Sequence, residues 1–228
     1  MAARSLLGAL LVRDDEAGIR LGRITEVEAY IGEEDRASHA RSGPTTRNRV
    51  MYGPPGIAYV YLVYGMHRCL NVVTERADFP AAVLVRAIDP LAGIDAMRRA
   101  RIERVVQARA GRPGAGRPDA AFLGTRRARG EQRIAALAPS ALARGPGLVG
   151  AAYSIDIAES GADLCAPSGS LRLAIDAAGW APVAPGDVVA GPRVGIAYAG
   201  EPWAGVPWRL ALRARSAGSQ PRETGEHR

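Results

Sequence analysis

The longest apolar stretches of this chain have the length of β-strands, and that limits what it can build. Residues 57–63 read Ile-Ala-Tyr-Val-Tyr-Leu-Val, residues 69–73 read Cys-Leu-Asn-Val-Val, and residues 81–88 form a nearly continuous apolar run with Arg86 embedded in it. Aromatic and β-branched content at these lengths indicates strands, and none approaches the roughly 20 residues of a membrane span. The opening Met-Ala-Ala-Arg-Ser lacks the apolar run of a signal peptide, so a soluble, cytoplasmic protein is expected. With 47% hydrophobic residues over 228 positions the chain can bury one sizeable core, and one domain is the expectation.

Along the chain, the pattern predicts a short helix over residues 3–10, a strand ending near Arg13, a polar turn at 14–18 and a second strand over 19–30. A period of two places Ile24, Glu26, Glu28 and Tyr30 on one face of that strand, and Thr25, Val27 and Ala29 on the other. Residues 32–55 are polar and rich in Gly, Pro, Thr and Arg, the composition of a long functional loop. Tyr64-Gly65-Met66-His67-Arg68 reads as a hairpin tip between two strands. Asp89-Pro90 has the form of an N-cap and a first-turn proline, predicting a helix to about residue 110. Residues 107–130 have the Arg, Gly and Pro content of a mobile insert, and 214–228 that of a disordered tail. Helices near 131–137 and after Gly145-Pro146-Gly147, with strands near 170–175, 187–190, 193–198 and 208–213, complete a mixed α+β domain over residues 1–213.

Composition prunes the chemistry. All 30 basic residues are arginine, and without lysine there is no pyridoxal-phosphate aldimine, no phosphate-loop lysine and no side-chain Schiff base; only the N-terminal amine remains. Cys69 and Cys165 are the only cysteines and there are three histidines, too few for a disulfide framework or a four-cysteine zinc site, so metal catalysis is not expected. The net charge of +7 points to a polyanionic partner, although an Ala, Gly and Arg-rich chain without lysine also reflects a GC-rich genome. Residues 98–133 hold eleven arginines against three acids, a local +8 that leaves the rest of the chain at −1.

Several side chains stand out, each with a bland and a chemical reading. Tyr64 and Met66 flank a glycine at a turn, where bulk either folds back on the core or forms a wedge for a nucleic-acid stack, with Arg68 as a phosphate contact. Tyr59 and Tyr61 face one side of a strand, as core or as a stacking platform for a base. Glu28 and Arg86, each inside a half-buried strand, invite an ion pair that is structural or holds a water for catalysis. Asn71 in an apolar strand either satisfies backbone groups or lines a pocket. The acids before His39 are taken as solvated or paired, and Trp180, Trp203 and Trp208 as packing residues.

Taken in order, Glu28-Ala29-Tyr30, His39, Arg47-Asn48-Arg49, residues 59–66, Asn71 and Leu84-Val85-Arg86-Ala87 resemble the alkyladenine (3-methyladenine) DNA glycosylase family. The resemblance extends from Ala3-Arg4-Ser5-Leu6-Leu7-Gly8 to Arg193-Val194-Gly195-Ile196 and Pro207-Trp208-Arg209. It implies a single α+β domain with a curved antiparallel sheet, peripheral helices and a DNA-inserting hairpin. It also implies an enzyme that flips a damaged purine out of double-stranded DNA and hydrolyses its N-glycosidic bond without metal or cofactor; a monomer is the default expectation, nucleoid-associated if bacterial. By the same resemblance, Glu28 is the water-activating carboxylate and Arg86 helps to hold the water. Tyr30, His39 and Tyr61 line the base pocket, Tyr59 supports it, and Asn71 crowds the exocyclic amine of normal guanine. Tyr64, with Met66, enters the stack, and Arg41, Arg47 and Arg68 meet the DNA backbone. The chain departs from the family pattern at Leu148-Val149-Gly150-Ala151, where a basic residue is usual, and at His67, where an apolar or aromatic residue is usual. Two other classes compete: a sensor that binds lesions without hydrolysis, and a general basic nucleic-acid binder with no damage preference.

Overall fold

The strand-length runs pair into one antiparallel sheet, and helices cover one of its faces. The computed structural model describes residues 2–107, 120–175 and 183–213. Its elements are α1 (Ala2–Leu6), β1 (Leu10–Arg13), β2 (Arg20–Ile31), β3 (Ala58–Val63), β4 (His67–Val73), β5 (Ala81–Ala92), α2 (Ile94–Gln107), α3 (Ala120–Ala135), α4 (Pro146–Ala152), β6 (Leu171–Ala174), β7 (Val188–Gly191) and β8 (Arg209–Leu212). The strand order is β3-β4-β5-β2-β1-β6, with β8 joining β2 to β7, and every ladder is antiparallel. The architecture is α+β, and no helix among the described residues is long and apolar enough to cross a membrane.

Strand alternation sorts the two faces. Val27 and Ala29 of β2, Ala58 and Val60 of β3, Leu70 and Val72 of β4, and Val83 and Val85 of β5 join one core with α1, α2 and α4. Their neighbours Glu28, Tyr30, Tyr59, Tyr61, Cys69, Asn71, Leu84 and Arg86 line a cleft on the opposite side of the sheet. There residues 32–57 pack down through Ala40, Met51, Val50 and Ile57 onto Tyr59, Val73 and Ala82.

The period-two expectation for β2 fails at one residue. Ile24 belongs to the core with Val27 and Ala29, because Thr25 has no partner in the ladder between Ile24↔Ile88 and Glu26↔Ala87. Arg86 is the unmatched residue on the other strand, between Ala87 and Val85. Such an irregularity twists the strand and re-aims side chains, and here it delivers Glu26, Glu28 and Arg86 to one place. It also divides β2: residues Arg20 to Arg23 pair with β1, whereas Glu26 to Glu28 pair with β8.

Three other expectations are corrected. Asp89-Pro90 does not open a helix; β5 runs on to Ala92, and α2 begins after Gly93. Along β5, β4 reaches only Ala82, Val83 and Leu84, so Pro90 sits where β5 has lost that neighbour and a missing N–H is tolerated. Gly93 makes the break, with φ +75 and a would-be Cβ 2.1 Å from the Ile19 carbonyl oxygen. Residues 120–130, assigned by composition to an irregular insert, are helical in α3. The segment at 193–198 is not a strand but a turn leading into a 3-10 helix at Ala197–Ala199. Residues 108–119, Trp180 and the 214–228 tail lie outside the described residues.

Part of the charge concentrated at 98–133 is used internally. Arg98 donates to the Leu137 carbonyl, Arg101 to Ala141 and Leu142, and Arg104 to Ile155, while Arg127 pairs with Glu103. Burial, with Arg133 for Arg101 and Arg68 for Arg104, lowers both guanidinium pKa values, and for Arg104 this outweighs Asp156 and Glu159.

α4 lies directly on β4, since a Cβ at Gly150 would stand 2.0 Å from the Arg68 carbonyl oxygen. Gly150→Ala is therefore expected to destabilise the fold by about 3 kcal/mol, read as a lower urea midpoint at unchanged slope. Gly124→Ala, on the exposed side of α3 with nothing within 4 Å of the new Cβ, is the control and should be neutral or slightly stabilising.

Candidate active site

The cleft has a volume of about 420 Å³ and is walled by β2 to β5, the 32–55 loop and the 193–198 segment. Glu28 sits at its base with no solvent exposure, so its oxygens must find donors within the protein. Oε1 accepts the Val194 N–H at 2.7 Å and lies 3.3 Å from Arg86 Nη1, while Oε2 accepts the Tyr30 hydroxyl at 2.9 Å. Arg86 also donates from Nε to Glu26 Oε1 at 2.9 Å, an oxygen shared with Arg209 at 3.2 Å. Burial opposes the Arg86 charge, but Glu28 and Glu26 outweigh it and raise the pKa of the guanidinium. Burial raises the Tyr30 phenol, reinforced by the Glu28 charge and hydrogen bond, so Tyr30 remains a donor.

An aromatic group faces this charge cluster across the cleft. The His39 ring meets Tyr61 edge-on at 4.4 Å between centroids, and Tyr59 lies 5.5 Å from Tyr61. His39 Nδ1 and the Tyr59 hydroxyl are 2.8 Å apart. Burial, then the charges of Arg47 and Arg41, pushes the His39 pKa down to about 4. Burial raises Tyr59 to about 12 against the pull of Arg47, and raises Tyr61 further. With a neutral imidazole and a protonated phenol, Tyr59 donates to Nδ1 and the imidazole proton resides on Nε2.

Two buried polar anchors set the walls. Asp35 and Arg193, both fully buried at their side chains, form a two-pronged ion pair at 2.5 and 2.8 Å. Arg193 also donates to the Ala29 carbonyl at 2.9 Å and lies 4.7 Å from the Tyr30 ring centroid and 5.0 Å from Trp208. Asn48 donates to the His39 carbonyl at 2.8 Å and to Gly43 at 2.9 Å, which ties the His39 turn to the rest of the loop.

A buried carboxylate paired with an arginine and a cluster of edge-on and tilted aromatic rings border one concave site, a lining suited to a flat group. The model of the family described as methylpurine-DNA glycosylase matches residues 1–216. The chain belongs to that family. Three similar proteins carry the name "Putative 3-methyladenine DNA glycosylase": one from Methanocella arvoryzae, 44% identical over 91% of this chain and 84% of its own; one from Myxococcus xanthus, 39% identical over 93% and 84%; and one from Anaeromyxobacter dehalogenans, 40% identical over 96% and 81%. As a member of the methylpurine-DNA glycosylase family the chain is a DNA glycosylase for alkylated bases, with DNA as its substrate.

Glu28, Arg86, Tyr30, His39, Tyr59, Tyr61, Asn71 and Arg47 all border this one cleft. Asn71 is buried and donates to the Tyr59 carbonyl at 3.0 Å, so it satisfies a backbone group and lines the pocket as well. Tyr64 stands on the rim, 86% exposed, at the tip of the β3–β4 hairpin. Tyr64 and Gly65 take φ values of +51 and +68, the paired left-handed residues of a tight hairpin turn, and a tyrosine in that region is strained. Met66 is half-buried behind it, and His67 packs against Gly147, where a Cβ would stand 2.7 Å from the imidazole Nδ1. Arg41 lies 5.8 Å from the Tyr198 ring centroid and Arg68 lies 3.3 Å from Asp156, so neither is at the base of the cleft. Asp35, Asn48, Arg193 and the Val194 N–H were not singled out as site residues by sequence reasoning. The available signal was an acid at position 35 inside an apparently solvated acidic run, and one arginine flanked by Pro192 and Val194.

The imidazole of His39 is expected to titrate near pH 4 in ring NMR spectra of the folded protein, and a midpoint near 6.5 would contradict its placement. Folding keeps this group neutral, so the unfolded chain takes up the proton first as pH falls. The contribution to stability therefore declines from about pH 6.5 to about pH 4 and levels off below that.

Proposed function

We propose that this enzyme is a monofunctional, purine-specific DNA glycosylase that flips alkylated or deaminated purines into the cleft and hydrolyses the bond to the sugar with a water activated by Glu28. The observation that carries the reading is a fully buried Glu28 carboxylate, bound by Arg86, Tyr30 and the Val194 N–H, at the base of a pocket lined with aromatic rings. Stacking of the extrahelical base on Tyr30, Tyr61 and His39 returns roughly 1–3 kcal/mol per ring contact, offsetting the few kcal/mol needed to unstack and unpair it. Tyr64 on its exposed turn fills the vacated space in the duplex, with Met66 behind it. Asn71 crowds the edge where a normal guanine carries its amine.

In the hydrolytic step the water oxygen bonds to C1′ as the C1′–N bond breaks, and the bonding pair leaves with the base. Glu28 takes the proton from the water and stabilises the positive charge that grows on the sugar, while Arg86 fixes the carboxylate and the water's approach. A cationic alkylpurine departs neutral and needs no added proton; hypoxanthine needs one. With no lysine for a Schiff base, the product is an intact strand with an abasic site. The similar proteins named for 3-methyladenine support alkylated adenine as one substrate.

Glu28→Gln preserves the shape and removes the base. It should retain binding to lesion-containing duplexes while single-turnover release of hypoxanthine or methylated purines falls by about a thousandfold or more. Wild type should give strand breaks only after alkali. Excision by the variant at the wild-type rate would refute the mechanism, and tight lesion binding without any released base would make the protein a sensor.

A further inference from the structure

The loop that walls the cleft brings a permanent cation over one of its stacking rings. The Arg47 guanidinium carbon lies 5.5 Å from the centroid of the Tyr61 ring, and Arg47 borders the same cleft as Glu28 and His39. The backbone next to it is pinned, because the adjoining Asn48 is buried and bonded to the His39 and Gly43 carbonyls. Among the described residues no carboxylate forms an ion pair with Arg47, and the acid nearest the reaction, Glu28, is held by Arg86. Its field also reaches the neighbouring rings, depressing the His39 imidazole and opposing the rise at Tyr59 and Tyr61.

We infer that Arg47 is a charge selector for the base pocket: its guanidinium occupies the cation-binding face of Tyr61 and biases the site toward neutral bases over cationic ones. The inference rests on the cleft being the base site. A purine alkylated at N3 or N7 of its ring carries a positive charge, competes with Arg47 for the same ring and is repelled by it. Two like charges about 6 Å apart, at an effective dielectric between that of water and that of a protein surface, change an affinity or rate ratio by about three- to a hundredfold. A deaminated purine is neutral, and its carbonyl oxygen can accept a hydrogen bond from the guanidinium. The preference between the two lesion classes is thus set by one exposed loop side chain rather than by the aromatic rings.

The test compares wild type, Arg47→Lys and Arg47→Gln on otherwise identical duplexes carrying 7-methylguanine, which is cationic, or hypoxanthine, which is neutral. Single-turnover release is measured at sub-saturating enzyme, so that base entry and cleavage both count, together with Kd for each duplex. Arg47→Gln should raise the ratio of cationic to neutral excision by about tenfold, and Arg47→Lys should leave it within about twofold of wild type. If Arg47 only touches phosphate, both substrates slow together and the ratio stays put, which overturns the inference. Should wild type bind both lesions and release neither, the excision reading fails while the ratio of Kd values still decides the selector: a shift of about tenfold in Arg47→Gln upholds it, and no shift overturns it.

Discussion

Removing the Glu28 carboxylate from solvent obliges the rest of the chain to supply its donors, and much of the architecture meets that demand. The donors come from three places: Tyr30 two residues along β2, Arg86 from the neighbouring strand, and the Val194 N–H from a segment more than 160 residues away. Two of them carry a local structural consequence. Arg86 is left unmatched in the ladder, and the 193–198 segment gives its amide to a carboxylate instead of a strand partner. A second buried pair, Asp35 with Arg193, then holds that segment in place against the 32–55 loop. Breaking a pair of this kind leaves an uncompensated charge and costs about 3–5 kcal/mol, so the site and the fold share these residues.

The same four strands, β2 to β5, serve both the core and the chemistry. Alternate residues of β2 to β5 face either the helices or the cleft. A polar site can therefore be assembled on one face while the opposite face retains the apolar packing that stabilises the domain. The arginines follow a comparable division. Arg98, Arg101 and Arg104 satisfy carbonyls where α2 meets the rest of the domain, and Arg47 and Arg41 lie over aromatic rings at the cleft. Net charge alone does not reveal which arginines are available to a nucleic acid.

The strands were legible wherever apolar runs and turn residues coincided, as in β3, β4 and the first part of β5. So were the cleft residues on them, because a two-residue period places Tyr59 beside Tyr61 and Glu28 beside Tyr30. Departures came where tertiary contacts overrode local signals. Asp89-Pro90 has the form of a helix start, but pairing with β2 extends the strand past it and Gly93 makes the turn. Residues 193–198 have strand composition, yet the Arg193 side chain and the Val194 amide are committed to Asp35 and Glu28. The Thr25 irregularity has no mark in composition, so a strict alternation misplaced Ile24. Asp35 resembled its solvated neighbours because its partner lies 158 residues away along the chain.

The divided partnership of β2 gives its two halves different neighbours on one side, while β5 runs along both on the other. The first four residues of β2 pair with β1, and Glu26 to Glu28 pair with β8, with the unpaired Thr25 between them. Because a one-residue shift turns a strand residue to the opposite face, the pairing of Glu28 with Leu84 and Arg209 is what keeps its carboxylate on the cleft side. The strands beside Glu28 are β5 and β8, so the edge that β1 forms with the start of β2 takes no direct part in orienting the carboxylate.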